Sequence, residues 1–250
     1  MTRLLILLSA SLLAACVSTE NTQFKSDMQR ASEDNVALGI KYMQAGDRDT
    51  AMQKIQKAIQ LDPDNANAYS AEALLYNAMG DAERANDAYH TAMRKASDDP
   101  QIQNNYAVFL CQHGKAKDSV KYFLKAAQNP LYPTPDAAYT NAGVCSDRIP
   151  DAAAAEQYFR KALDINPSFP EALYQMGLIS FNQKKFLVAR AFVERCNQVA
   201  QPRPDVLLLG VQTERALGNE QGAADYAKQL IKLFPASPQV QQLDQAGIHG

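Results

Sequence analysis

Tryptophan is absent from this 250-residue chain, and histidine occurs only three times. His90, His113 and His249 have no cysteine or histidine partner at metal-ligand spacing, so they read as surface residues rather than ligands. Charge of one sign is missing too: 25 Lys and Arg stand against 27 Asp and Glu. Such a balance leaves no basic stripe to track a phosphate backbone, which argues against nucleic acid as a partner. No apolar run approaches the roughly 20 residues that cross a bilayer as a helix. There is no nucleophile elbow, phosphate loop or pair of catalytic carboxylates. Acidic residues gather instead at helix starts, as in Asp62-Pro63-Asp64 and Asp98-Asp99-Pro100. There they satisfy free N–H groups and suit the helix dipole. Neither an enzyme, a cofactor, a metal site nor a small-molecule substrate is expected. A hydrolase would need a perturbed carboxylate or histidine pair in a pocket to be revived.

What is present begins with the first sixteen residues. Arg3 is a positive n-region, Leu4 to Leu13 a short apolar run, and Ala14-Ala15 a small pair immediately before Cys16. This is the layout of an export signal, and with the cysteine in place it resembles a bacterial lipobox. The resemblance implies a signal peptide over 1–15, cleavage before Cys16 and diacylglycerol on its sulfur. The alternative is an ordinary signal peptide with a chance cysteine. Val17 is not an aspartate, and by analogy with lipoprotein sorting this favours the outer membrane, with the protein facing the periplasm. Residues 16–31 are polar and read as a tether of at most about 50 Å, whose last part can extend the first helix.

From Ser32 onward the chain repeats. "NVALGIKYMQAGDRDTAMQKIQKAIQLDPDN" and "EALYQMGLISFNQKKFLVARAFVERCNQVAQ" share one layout of bulky and small residues around a turn. The pattern resembles the tetratricopeptide repeat, a helix-turn-helix unit of 34 residues. Registered on that unit, copies start at Ser32, Ala66, Pro100, Asp136, Pro170 and Pro204, with spacings of 34, 34, 36, 34 and 34. The expected repeats are 32–65, 66–99, 100–133, 136–169, 170–203 and 204–237. The fold expected is all-α, a right-handed solenoid, with 238–250 as a short capping helix and tail. The extra residues fall in the Pro-rich run 129–135, read as a loop. Small residues of the first helices (Gly39, Ala73, Ala107, Gly143, Gly177) let second helices approach. Larger ones, among them Leu38, Tyr42, Tyr76 and Tyr106, are assigned to the core. Gly46, Gly80, Gly114 and Gly218 mark turns, where positive φ is cheap for glycine. Pro150 and Lys184 stand in their place in repeats four and five, so those turns are expected to differ in shape.

Cys111 and Cys145 both fall late in first helices of successive repeats. Helix axes roughly 8–10 Å apart can bring such positions within disulfide reach, and a disulfide between them is expected. Two separate reduced thiols are the alternative. Cys196 takes a small-residue position and reads as a buried free thiol.

First helices of this repeat family line a concave groove. Carrying its positions across names Glu33, Val36, Ile40, Met43, Asn67, Ser70, Leu74, Gln101, Asn104 and Val108, then Val144, Asp147, Arg148, Glu171, Tyr174, Leu178 and Asp205. Val36, Ile40, Met43, Leu74 and Val108 form the candidate partner-binding floor. Unused apolar residues usually mean a partner, although the row could instead pack first helices together.

A lipobox, a tether and six such repeats, with "NNYAVFLCQHG" in repeat three and the matching cysteine of "NAGVCSD", resemble the type IV pilus biogenesis lipoproteins that act as pilotins for the outer-membrane secretin. The resemblance covers essentially the whole chain. It implies a non-catalytic protein that binds secretin subunits and is held to the lipid bilayer through Cys16. Secretin localisation, multimer assembly, pilus formation and twitching motility would depend on it. Another outer-membrane repeat lipoprotein, serving barrel assembly or peptidoglycan enzymes, is the nearest alternative.

Overall fold

The computed structural model describes residues 24, 26–146 and 152–245, and every regular element among them is an α-helix. Cys16, the segment 1–15, most of the tether, the groove positions Asp147 and Arg148, the turn residue Pro150 and the tail with His249 lie outside the described residues. Helix α1 covers 26–44. It is followed by α2 (Arg48–Leu61), α3 (Ala66–Ala78), α4 (Ala82–Lys95), α5 (Pro100–Gln112), α6 (Ala116–Gln128), α7 (Pro135–Ser146), α8 (Ala152–Ile165), α9 (Pro170–Asn182), α10 (Phe186–Val199), α11 (Pro204–Ala216), α12 (Glu220–Leu233) and α13 (Pro238–Gln245). The chain divides into two compact units, Met1–Phe109 and Leu110–Gly250.

In the first unit the helices are started by side chains that accept from otherwise unpaired backbone N–H groups. Asp47 caps α2 through Thr50 N, Asn65 caps α3 through Asn67 N and Ala68 N, and Asp81 caps α4 through Arg84 N. Each such cap is worth about 1 kcal/mol. Helix α3 packs on α2 and α4. Val36, Ala51, Ile55, Ala58, Ala68, Ala71 and Leu75 form one buried cluster. The alanines are what allow this closeness, since each second-helix Ala (51, 58) is fully buried. Further along, the fully buried Tyr89 of α4 holds the rings of Tyr106 and Phe109 at centroid distances of 5.3 Å. Leu38 and Tyr42 do not reach the core and are exposed, at 39% and 37%. Tyr106, at the same repeat position as Leu38, is covered by the preceding second helix; among the described residues α1 has no preceding helix to cover it.

In the second unit each helix packs on the next, from α6 through α12, and the first helices also touch in succession, α7 on α9 and α9 on α11. Phe159, Leu173, Val193, Leu207 and Leu230 are fully buried along this run. Helix α13 closes its end: Val240 and Leu243 pack on Leu207, Val211, Ala223, Ala227 and Leu230. Burying Leu243 alone stabilises the unit by about 1.5–3 kcal/mol.

Two local readings are corrected. Pro135 is the first residue of α7 rather than part of the loop, because proline's fixed φ suits a helix's first turn. The turn at Lys184 does not differ from its glycine counterparts. Its φ is +60°, against +73° to +82° at Gly46, Gly80, Gly114 and Gly218. Lys184 N donates to Phe181 O at 2.8 Å and Lys185 N to Ser180 O at 2.9 Å. The same pair of bonds closes the glycine turn at Gly46, from Gly46 N to Met43 O and Asp47 N to Tyr42 O. A left-handed lysine costs roughly 1–2 kcal/mol, which the packing of α9 on α10 outweighs.

Candidate functional site

The first unit holds a cavity of about 430 Å³ built by α1, α3 and α5. Glu33, Val36, Ala37 and Ile40 lie at i, i+3, i+4 and i+7 of α1 and so share one face. Asn67, Ser70, Ala71 and Leu74 repeat that spacing on α3, and Gln101 and Asn105 project from α5. The floor is apolar and the rim is made of amides. Val36 is only 7% exposed and joins the buried cluster beneath, so it forms the bottom of the cavity. Ile40 is half-buried against the same cluster and Leu74 is half-buried at the wall.

The rim is held in place by hydrogen bonds. Asn65 Nδ2 donates to Ser32 Oγ at 2.8 Å, and Ser32 Oγ donates to the Ala58 carbonyl at 2.9 Å. Gln101 Nε2 donates to Asn105 Oδ1 at 3.1 Å, and Asn105 Nδ2 to Ser70 Oγ at 3.4 Å. Glu33 is the one ionisable residue in the lining. The cavity therefore offers an apolar seat and neutral donors and acceptors, suited to a peptide segment rather than to acid–base chemistry.

Of the five residues assigned to the floor, the structure brings Val36, Ile40 and Leu74 to this cavity. Met43 packs on the buried cluster below it instead, and Val108 is half-buried on α5 outside the lining. In the second unit Val144 and Leu178 are drawn into core clusters, Val144 with Phe159 and Met176, and Leu178 with Leu173 and Val193. The polar positions there are gathered by a residue that the repeat register passed over, Arg203. Its guanidinium bonds Glu171 at 2.7 Å and Asp205, and lies 5.1 Å from the Tyr174 ring centroid. Asn65 and Asn105 were also missed. Asn105 carries a sequence signal, a Gln-to-Asn pair at i and i+4 of one helix, but Asn65 reads simply as a helix cap.

Cys111 and Cys145 are joined by a disulfide, with Cα atoms 5.9 Å apart. Cys196 is free and buried, its thiol donating to the Pro170 carbonyl, and burial pushes that thiol upward from its ordinary pKa. Among the described residues no group of three or more His, Cys, Asp or Glu could hold a metal ion, and no helix is long and apolar enough to cross a membrane.

Comparison with known proteins adds a second line. Tetratricopeptide-repeat family models match residues 39–80, 70–134 and 137–169. The type IV pilus assembly protein PilF of Pseudomonas aeruginosa is 27% identical over 241 residues, 96% of each chain. A solved structure of Pseudomonas aeruginosa PilF superposes with a TM-score of 0.79 at 26% identity, covering 88% of this chain and 99% of that one. PilW, described as a widely conserved type IV pilus biogenesis factor, superposes with a TM-score of 0.75 at 31% identity, over 85% of this chain and 97% of its own.

Proposed function

We propose that this chain, which belongs to the type IV pilus biogenesis family of tetratricopeptide-repeat proteins, works as a secretin pilotin. In this reading acyl chains on Cys16 hold it at the outer membrane, facing the periplasm. The cavity of its first unit takes a segment of the pilus secretin, and the protein promotes secretin localisation and multimerisation, hence pilus assembly and twitching motility. The observation that carries the reading is the cavity itself: an apolar floor of Val36, Ile40 and Leu74 under a fixed amide rim. What supports the address is Cys16 directly after Leu13-Ala14-Ala15. The physical mechanism is confinement. A tether holding the groove near one surface raises the effective concentration of its cargo there, without any new contact.

The test separates groove from anchor. Ile40→Asp in an acylated, folded protein should abolish secretin capture and reduce secretin multimers, because a charge would be desolvated on the cavity floor. Cys16→Ser should leave capture intact but misplace the complex. Unchanged multimers and location in the Ile40→Asp strain would rule out the groove assignment.

A further inference from the structure

The turn between α9 and α10 carries a patch unlike the other turns among the described residues. Lys184 and Lys185 are exposed, and Leu187 and Val188 after them are exposed to 68% and 46%. With Phe186 and with Leu217 of the next turn they line a shallow depression of about 370 Å³. Phe186 is anchored from below by the Phe181 ring, 5.4 Å between centroids. The corresponding stretches elsewhere are Gly46-Asp47-Arg48-Asp49-Thr50, Gly80-Asp81-Ala82-Glu83-Arg84, Gly114-Lys115-Ala116-Lys117-Asp118 and Gly218-Asn219-Glu220-Gln221-Gly222. Each of the four carries a carboxylate, and none has an aliphatic side chain larger than alanine. Among the turns within the described residues, only that of repeat five sets two cations beside two exposed aliphatic residues. The position that is glycine in those four turns is here a lysine held at φ +60°.

The charge of this patch is only partly offset locally, by the attraction between Lys185 and the Glu156 carboxylate. Among the described residues neither lysine makes an ion pair; Lys185 Nζ bonds the neutral Gln183 Oε1 at 2.8 Å. The nearby carboxylate of Glu156 is already taken by Arg160 and by Gln183 Nε2.

We infer that this patch is a docking surface for an anionic phospholipid bilayer. Lys184 and Lys185 would meet headgroup phosphates while Leu187 and Val188 enter the acyl boundary, the division of labour of an interfacial contact. Charge complementarity selects this occupant: two exposed cations without an ion pair among the described residues call for an anionic surface, and the exposed aliphatic pair beside them requires that surface to have an apolar interior. The contact is independent of the acyl anchor and of secretin, so its failure would leave the pilotin reading untouched. It would orient the repeats at the membrane, where a single acyl tether fixes distance alone.

The test uses the mature chain, residues 16–250, with Cys16→Ser, so that neither an acyl chain nor the apolar segment before it supplies binding. Co-sedimentation is measured with vesicles of phosphatidylcholine alone and of equal parts phosphatidylcholine and phosphatidylglycerol. Binding is expected only to the anionic vesicles and should weaken with salt. Lys184→Gly/Lys185→Ala should weaken it roughly 10- to 30-fold, and Leu187→Ser/Val188→Ser by about tenfold. Lys54→Ala/Lys57→Ala, the same charge change on α2, should alter it less than about twofold if the patch rather than net charge is responsible. Circular dichroism confirms that each variant is folded. No binding of the parent chain to anionic vesicles, or an equal loss in the α2 control, would overturn the inference.

Discussion

The carboxylate of Glu214 on α11 is gripped by the guanidinium of Arg190 on α10, with Arg190 Nε 2.7 Å from Glu214 Oε1. The Glu214 side chain is 6% exposed, and Asn219 Nδ2 donates to it from the turn at 2.6 Å. Two successive repeats are thus joined by an ion pair that has lost most of its water.

That pair gives a stability with a definite pH sign. The Arg190 hydrogen bond holds the Glu214 carboxyl below its ordinary value of 4.5. A depressed folded pKa stabilises above the unfolded value, and this contribution is lost as pH falls through the folded one. Urea midpoints should therefore decline below about pH 4.5, and Glu214→Gln should remove that part of the decline. At neutral pH Arg190→Ala should lower the urea midpoint, since it leaves the Glu214 carboxylate without its cation. An unchanged acid limb in Glu214→Gln would show that other carboxylates set it.

The disulfide between Cys111 and Cys145 closes a loop with a sequence separation of 34. Chain entropy alone makes such a closure worth about 3–4 kcal/mol. Reduction, or Cys145→Ser, should lower the denaturation midpoint of Leu110–Gly250 accordingly. Mass mapping of the unreduced protein should return a Cys111–Cys145 peptide, with Cys196 alkylated only after unfolding.

Two first-helix glycines that look equivalent in sequence should respond oppositely to alanine. A Cβ on Gly143 would lie 2.6 Å from the ring of Phe159, which is fully buried and has nowhere to go. On Gly177 it would meet Leu209 at 3.4 Å, an ordinary contact. Gly143→Ala should destabilise by about 1–3 kcal/mol. Gly177→Ala should stabilise by about 0.5–1 kcal/mol, the helical preference for alanine over glycine. Thermal melts of the two variants check this; equal effects would refute it.

Lys184→Gly should raise stability by about 1 kcal/mol by relieving a left-handed lysine. The same substitution removes a cation from the bilayer-docking patch. A variant that is more stable yet binds anionic vesicles less well would separate the fold's preference from the lysine's use. A lower melting temperature would instead mean that the lysine side chain makes a compensating contact.

Much of the architecture was legible because the repeat is a local device. Proline and small residues recur every 34 positions, and each copy obeys the same short-range rules. That is why α3, α5, α9 and α11 begin at Ala66, Pro100, Pro170 and Pro204. The cavity was legible only in part. Periodicity places Val36, Ile40, Met43 and Leu74 on related faces, but not how much of each face the neighbouring helix consumes. Met43 went to the core beneath and Val36 is shared between that core and the cavity floor, while Asn65 and Asn105 entered the rim through hydrogen bonds to Ser32 and Ser70.

The sequence by itself determined the repeat, its glycine turns, and the placing of Cys111 and Cys145 on neighbouring first helices. These depend on local propensity and fixed spacing, which neighbouring helices do not alter. The tertiary structure alone decided which glycine is crowded, which apolar side chains remain open, and that Lys184 must take a glycine's conformation. Those outcomes depend on how closely two helices approach, and a difference of under 1 Å between the contacts at Gly143 and Gly177 is enough to reverse the sign.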